Sequence, residues 1–215
     1  EARVTANIPH TGTVPVYELG RDRNGSLFFT MKRVCGRDLG NIIEALKSGD
    51  EHATRVFTLA AQIDILIQVC QTVAYAHDRG VIHRDLKPAN ILVGGFGEVI
   101  VLDWGLAKVW GEPDVGIEAF PAKANPVLTP AGRRYGTPLY MAPEVVRRKW
   151  TDLRLDIFSL GVTLYELCTF ELPWPKTETT GLAALTHDTD EPKGILELKP
   201  DLNRKLADAI MKCIS

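Results

Sequence analysis

The stretch that decides the reading is His83-Arg84-Asp85-Leu86-Lys87-Pro88-Ala89-Asn90, followed by Ile91-Leu92-Val93, Gly94-Gly95-Phe96-Gly97-Glu98, Val99-Ile100-Val101-Leu102 and Asp103-Trp104-Gly105. Its head has neither a helical nor an alternating period and reads as an ordered loop. That loop sets a carboxylate, an ammonium and a carboxamide within a few positions of one another. An Asp in such a setting accepts a proton from an alcohol, Lys87 neutralises a transferring phosphoryl group, and Asn90 offers a hard oxygen to Mg²⁺. The two apolar, β-branched runs that follow are joined by a Gly-rich turn, the pattern of a β-hairpin. Asn90 stands just before the first run and Asp103 just after the second, and in an antiparallel pair those positions share the open end. The spacing therefore predicts that a carboxamide and a carboxylate grip one divalent ion. A lone His-Arg-Asp triplet carries less, because it is most often a surface loop with a local ion pair.

Upstream, residues 14–19 and 27–31 are strand-like, and Asn24-Gly25 between them is a strong turn signal, so a first hairpin is expected there. Residues 38–46 read as a short helix, followed by a polar loop around residues 48–52. Leu59, Ile63, Leu66, Ile67, Cys70, Val73, Ala74 and His77 recur at helical steps, and Gly80 stops the pattern. Downstream, residues 106–142 carry too many Pro and Gly for a long helix, and a loop of that length is usually functional or mobile. Residues 156–169 are apolar almost all round, which marks a helix buried on most sides. A polar, Pro- and Thr-rich stretch over residues 173–193 leads to a final amphipathic helix over residues 202–214.

Composition narrows the rest. A chain of 215 residues allows one large domain or two small ones, at about 100–200 residues per domain. The formal net charge of −2 offers no polybasic surface, which disfavours nucleic acid and a membrane surface as partners. No apolar run reaches the roughly 18–20 residues of a membrane span, since Asp64, Gln68, Asp103 and Glu166 interrupt the greasiest stretches. Cys35, Cys70, Cys168 and Cys213 lie far apart without Cys-x-x-Cys spacing, against zinc and against a disulfide framework, so a reducing cytoplasm is the expected location. With no initiator Met and no basic-then-apolar leader, the N-terminus reads as a cut, and the parent protein could carry a membrane anchor elsewhere.

Five linked features outweigh the lone triplet: Lys and Asn two and five residues after Asp85; Asp-x-Gly after a hairpin; Gly136-Thr137-Pro138; Tyr140-Met141-Ala142-Pro143-Glu144; and Asp156-x-x-Ser159-x-Gly161. In this order they resemble the eukaryotic-type protein kinase family over nearly the whole chain. Lys87-Pro88 is similar to the serine/threonine branch, where tyrosine kinases carry an Ala-Ala-Arg type insert. Asp103-Trp104-Gly105-Leu106-Ala107-Lys108 and Phe28-Phe29-Thr30-Met31-Lys32 look bacterial, similar to the kinase sets of planctomycete-like bacteria.

The resemblance implies an α+β, protein-kinase-like fold: residues 1–31 as a small-lobe remnant, 32–38 as a hinge and 39–215 as a helical large lobe. It implies ATP and Mg²⁺ as cofactors and a protein Ser/Thr hydroxyl as acceptor. Asp85 is then the catalytic base, Lys87 contacts the γ-phosphate, and Asn90 with Asp103 holds Mg²⁺. Met31 guards the back of the adenine pocket, while Lys32 and Val34 present backbone groups to the adenine edge. Arg84 beside Asp85 marks members switched on by phosphorylation, or else pairs with a neighbouring carboxylate. Thr129 is the first candidate phosphosite and Thr137 the second, with Thr137 also read as helping Lys87 and Asp85 recognise the acceptor. Residues 109–130 are expected to be mobile until phosphorylated, and activation by dimerisation or trans-phosphorylation is compatible with this pattern.

Departures matter as well. The family's Gly-rich loop and strand Lys are absent from this chain, Glu1 matches the regulatory-helix Glu that pairs with that Lys, and the Arg expected to pair with Glu144 is missing. Transfer by these residues alone is therefore expected to be impaired. Trp104 stands where the family usually has Phe, and either shifts the active and inactive arrangements or is a plain aromatic swap. Two other readings stay open: a non-catalytic kinase-like binding module, and a small-molecule kinase of the same fold, against which residues 136–144 argue because in protein kinases they build a peptide platform.

Overall fold

Turn chemistry and helix caps account for most of the elements in the computed structural model, which describes residues 2–109, 138–146, 152–174 and 191–215. The chain packs as two units, Glu1–His83 with Pro88–Val109, and Arg84–Lys87 with Trp110–Ser215. These packing units are a separate matter from the lobe boundaries that the resemblance implies at residues 31 and 38.

The first unit opens with α1 (Ala2–Ala6) and an antiparallel hairpin of β1 (Val16–Arg21) and β2 (Leu27–Met31). Its turn is fixed by Asp22, whose Oδ1 accepts from the backbone N–H groups of Asn24 and Ser26 at 2.8 Å each. Next come β3 (Arg37–Asp38), α2 (Leu39–Lys47), α3 (Glu51–Val56) and α4 (Leu59–Asp78). Asp38, Asp50 and Thr58 cap the three helices by accepting from Asn41, Ala53 and Ala61 N–H at 3.0, 2.6 and 3.4 Å, each cap worth about 1 kcal/mol. Helix α3 corrects the expectation of a polar loop through residue 52. It buries only Ala53, so it shows no apolar period, and its cap Asp50 nucleates it instead.

Helix α4 turns Ile65, Leu66, Val69, Val73 and Ala76 inward and packs against β4 (Val81–Ile82) and against β6 of the second hairpin. It ends as expected at Gly80, whose φ of 70° is open to glycine. By length and composition alone α4 is long and apolar enough to cross a membrane, which the count of apolar runs did not anticipate. Its inward stripe is packed on strands, as in the core helix of a folded domain.

The second hairpin pairs β5 (Ile91–Val93) with β6 (Val99–Val101), matching Ile91 to Val101, Leu92 to Ile100 and Val93 to Val99. Strand β3 adds to the outer edge of β5, giving the order β3-β5-β6, and β4 pairs with β7 (Lys108–Val109). Both additions were missed because two-residue strands have no period to read.

The second unit contains α5 (Pro143–Val146), α6 (Arg154–Thr169), α7 (Ile195–Leu198) and α8 (Arg204–Cys213). As expected, α6 is buried nearly all round, with Phe158, Val162 and Tyr165 packed against Ala207, Ile210 and Ile214. Gly161 permits the close crossing of α6 and α8: a Cβ there would lie 2.6 Å from the Cys213 Cβ. Asn203 caps α8 by accepting from Lys205 N–H at 3.0 Å.

Candidate active site

In the second unit, Leu86 is the anchor of the loop, with 1% of its surface exposed, and it separates Asp85 from Lys87. The Lys87 ammonium bonds the Asp85 Oδ2 at 2.8 Å, with the Asp85 side chain 8% exposed. This charge-assisted bond fixes where the carboxylate points. One residue earlier, Arg84 takes the left-handed conformation at φ 68°, a strained state that persists only when its surroundings over-determine it. The restraint comes from α6: Arg84 N–H donates to Asp156 Oδ1 at 2.8 Å, and Asp156 is fully buried. Sequence reasoning quoted Asp156 within a motif without giving it a role. An acid near the start of an otherwise apolar helix was the available signal.

The segment around the Ala-Pro-Glu box is tied to the same helix. Ser159 Oγ donates to the Tyr140 carbonyl at 2.7 Å, and the Tyr140 hydroxyl donates to Glu166 Oε2 at 2.5 Å. Burial first, then the Glu166 hydrogen bond and charge, push the Tyr140 hydroxyl above its ordinary range, so it stays a donor. At the head of α6, Arg154 donates to Asp152 Oδ2 from Nε at 2.8 Å. That bond chiefly holds the Asp152 carboxyl below its usual value. The guanidinium is raised mainly by Asp152 and also feels the charge of Glu144, the residue expected to lack an Arg.

In the first unit, the register places Asn90 and Asp103 at one end of the second hairpin: Leu102 N–H donates to the Asn90 carbonyl at 2.8 Å, and Asp103 follows. Asn90 is 7% exposed and ends a short 3₁₀ turn. Asp103 is exposed, adopts φ 60° and ψ 66°, and accepts from Gly105 N–H at 3.3 Å. Among the described residues no three His, Cys, Asp or Glu side chains cluster, so no all-protein metal cage forms. An amide oxygen and a carboxylate are hard donors that fit Mg²⁺, which keeps waters and takes substrate phosphates as its other ligands.

Two aromatic residues hold this end of the hairpin. His83 is fully buried, donates from Nε2 to the Leu102 carbonyl at 3.0 Å, and packs its ring 4.6 Å from that of Trp104. Trp104, 2% exposed, donates from its indole N–H to the Val101 carbonyl at 3.2 Å. Neither partner could be read from local spacing. Elsewhere in this unit Met31 ends β2 and is 47% exposed. Lys32 N–H donates to the Pro15 carbonyl at 2.9 Å, so the adenine reading uses its carbonyl. Val34 is half-buried in the segment between β2 and β3. The expectations for Glu1, Thr129 and Thr137, and for the loop beyond Val109, lie outside the described residues.

With this geometry in hand, comparisons with known proteins agree on the family. The model for "Protein kinase domain" matches residues 1–214. The chain is 38% identical over 184 residues to the serine/threonine-protein kinase PknD of Protochlamydia amoebophila, covering 82% of this chain and 19% of that protein. It is 34% identical over 221 residues to PknD of Chlamydia caviae, covering 98% and 23%. The serine/threonine-protein kinase pkn3 of Myxococcus xanthus is 36% identical over 205 residues, covering 94% and 34%. The chain thus spans about a fifth to a third of the length of these bacterial relatives. By the family model, and with the α+β fold expected of it, the chain belongs to the protein kinase domain family.

Proposed function

We propose that this chain is the catalytic domain of a protein serine/threonine kinase, moving the γ-phosphoryl group of ATP to a Ser or Thr hydroxyl of a protein. The observation that carries the reading is the Lys87–Asp85 pair at 2.8 Å on a loop whose backbone is tied to the buried Asp156. A carboxylate held so accepts the hydroxyl proton as the acceptor oxygen bonds to phosphorus and the bond from phosphorus to the ADP oxygen breaks. Lys87 meets the negative charge on the group in transit. Asn90 and Asp103 would hold Mg²⁺, which when bound neutralises phosphate oxygens. The Lys32 carbonyl and the Val34 backbone would take the adenine edge, with Met31 behind it. The names of the relatives support Ser/Thr as the acceptor class. Arg84 supports switching by phosphorylation at Thr129 or Thr137, in trans or through dimers. A cytoplasmic location is part of the same proposal, supported by Cys35, Cys70, Cys168 and Cys213 being thiols rather than disulfides.

The test is transfer of labelled phosphate by the full-length polypeptide against Mg²⁺ concentration. Asp103→Ala is expected to abolish transfer, and Asn90→Ala to raise the Mg²⁺ requirement. Transfer with an unchanged Mg²⁺ profile in both variants removes the metal roles. A full-length protein that binds nucleotide but never transfers phosphate makes the chain a binding module.

A further inference from the structure

The turn between β1 and β2 holds a reactive pair of residues. The Asn24 side chain is exposed, and its carboxamide has no bonding partner among the described residues. Attack on the carboxamide carbon by the next backbone nitrogen closes a five-membered ring. Glycine resists this least, because it has no Cβ to crowd its nitrogen, and a Cβ built on Gly25 would meet nothing within 4 Å, so the surroundings add no obstruction. Against that reactivity stands the turn itself. Gly25 N–H donates to the Asp22 carbonyl at 3.0 Å, the closing bond of a β-turn. Asp22 Oδ1 takes the N–H groups on either side, those of Asn24 and Ser26, at 2.8 Å each, and Arg21 Nη1 donates to the Gly25 carbonyl at 2.8 Å. The attacking nitrogen is thus tied to Asp22 through the proton it has to lose. The side-chain bonds of this clamp are all exposed, and exposed bonds of this kind open locally far more often than a core does.

We propose that Asn24-Gly25 is a site of spontaneous covalent modification, deamidating to isoaspartate when the turn opens, and that Asp22 sets the pace by holding it closed. The Gly25 nitrogen bonds to the Asn24 side-chain carbonyl carbon as the carbon–nitrogen bond of the carboxamide breaks. The Gly25 proton, passed through water, leaves with the ammonia, and a cyclic imide remains. Water then opens the imide at either carbonyl. One cleavage gives aspartate, and the other gives isoaspartate, in which the main chain runs through the former side-chain methylene. No oxidant or reductant enters. The isoaspartate sets a second carboxylate near that of Asp22 and lengthens the turn by one main-chain carbon. The two Asp22 Oδ1 bonds lose their geometry, and the Arg21–Leu27 pair beside the turn is the first of the ladder to go. The other end of the hairpin is held separately, by Lys32 N–H on the Pro15 carbonyl at 2.9 Å.

The experiment incubates the intact chain in neutral and in mildly alkaline buffer and counts isoaspartate at position 24 by peptide mass mapping and by carboxyl methylation with an isoaspartate methyltransferase. A synthetic peptide of residues 21–27 supplies the open-chain rate. The expected result is isoaspartate at position 24, formed more slowly than in the peptide and faster as pH rises. Asp22→Ala is expected to form it roughly tenfold faster than the unaltered chain, and Asp22→Asn, which keeps an oxygen acceptor, to return toward the unaltered rate. Gly25→Ala, strained at φ 82° but with room for its methyl group, is expected to suppress the product. If Asp22→Ala does not fold, hydrogen exchange at the Gly25 amide of the unaltered chain decides: a product rate equal to the peptide rate times the open fraction supports the proposal, and a product rate unrelated to that fraction overturns it. No isoaspartate at position 24 by the time the peptide has fully converted overturns the site. Equal rates in the unaltered chain and in Asp22→Ala overturn the role of Asp22.

Discussion

The hairpin of β5 and β6 and the helix α6 each position one half of the proposed chemistry, and they do it by different means. The hairpin brings Asn90 and Asp103 to one end through a ladder of backbone pairs, Ile91 to Val101 through Val93 to Val99, which many side chains could support. The helix fixes the Asp85–Lys87 loop through one side chain, the buried Asp156 carboxylate that takes the Arg84 N–H. A ladder spreads its function over several bonds and tolerates substitution, whereas a single buried acceptor concentrates it. Stability and catalysis should therefore come apart differently in the two regions.

The largest effect on stability is expected from Ile91→Ala. Ile91 is fully buried, and truncating such a residue costs about 2–5 kcal/mol. Urea unfolding should show that loss, while the rate per folded molecule stays near the unaltered value because the register survives. A rate that collapses along with stability would mean the hairpin is no more tolerant than the helix. Asp156→Ala should behave in the opposite way. Its cost in stability is of the order of 2 kcal/mol, but the rate per folded molecule should fall about a hundredfold through misplacement of the loop. A normal rate in this variant would show that the Arg84 contact is dispensable.

Alkaline pH sharpens the contrast from another side. Burial pushes the Cys168 thiol from 9.0 up to about 11 and the Tyr165 hydroxyl from 10.0 up to about 12, both on α6. Each binds its proton more tightly folded than unfolded, so its contribution is whole below the unfolded value and is lost as pH climbs through the folded one. The urea midpoint should drop between pH 9 and 12, and Tyr165→Phe should flatten the upper part of that slope. Identical slopes would contradict this assignment. The smallest effect belongs to the first hairpin. Tyr17 and Leu27 are each 68% exposed, so replacing either by Thr should change stability by no more than about 0.5 kcal/mol.

The same contrast explains what could be read in the sequence. Both hairpins were legible, because a turn glycine between β-branched runs is a local signal, and the second one led to Asn90 and Asp103 sharing an end. Helix α4 was legible as a helix but its buried face was not: of the stripe read in the sequence Leu66 and Val73 are buried, while Leu59, Ile67, Cys70 and Ala74 are exposed. Helix α3 was not legible, with one buried residue and no stripe, and β3, β4 and β7 were too short to show alternation. Of the site, Asp85 and Lys87 followed from their spacing, and the structure pairs them. The acceptor role of Asp156, the bond from Tyr140 to Glu166 and the Trp104 indole contact were not legible. Each depends on which buried group lies across a tertiary contact, and no local pattern encodes that.

The most direct measurement is the amino acid that receives label from γ-³²P ATP when the full-length protein is incubated with a protein acceptor. Phosphoserine or phosphothreonine, lost when Asp85 is replaced by Asn, is the predicted result. Label on serine or threonine that persists unchanged in Asp85→Asn, or label that appears only on tyrosine or on a small molecule, would contradict it.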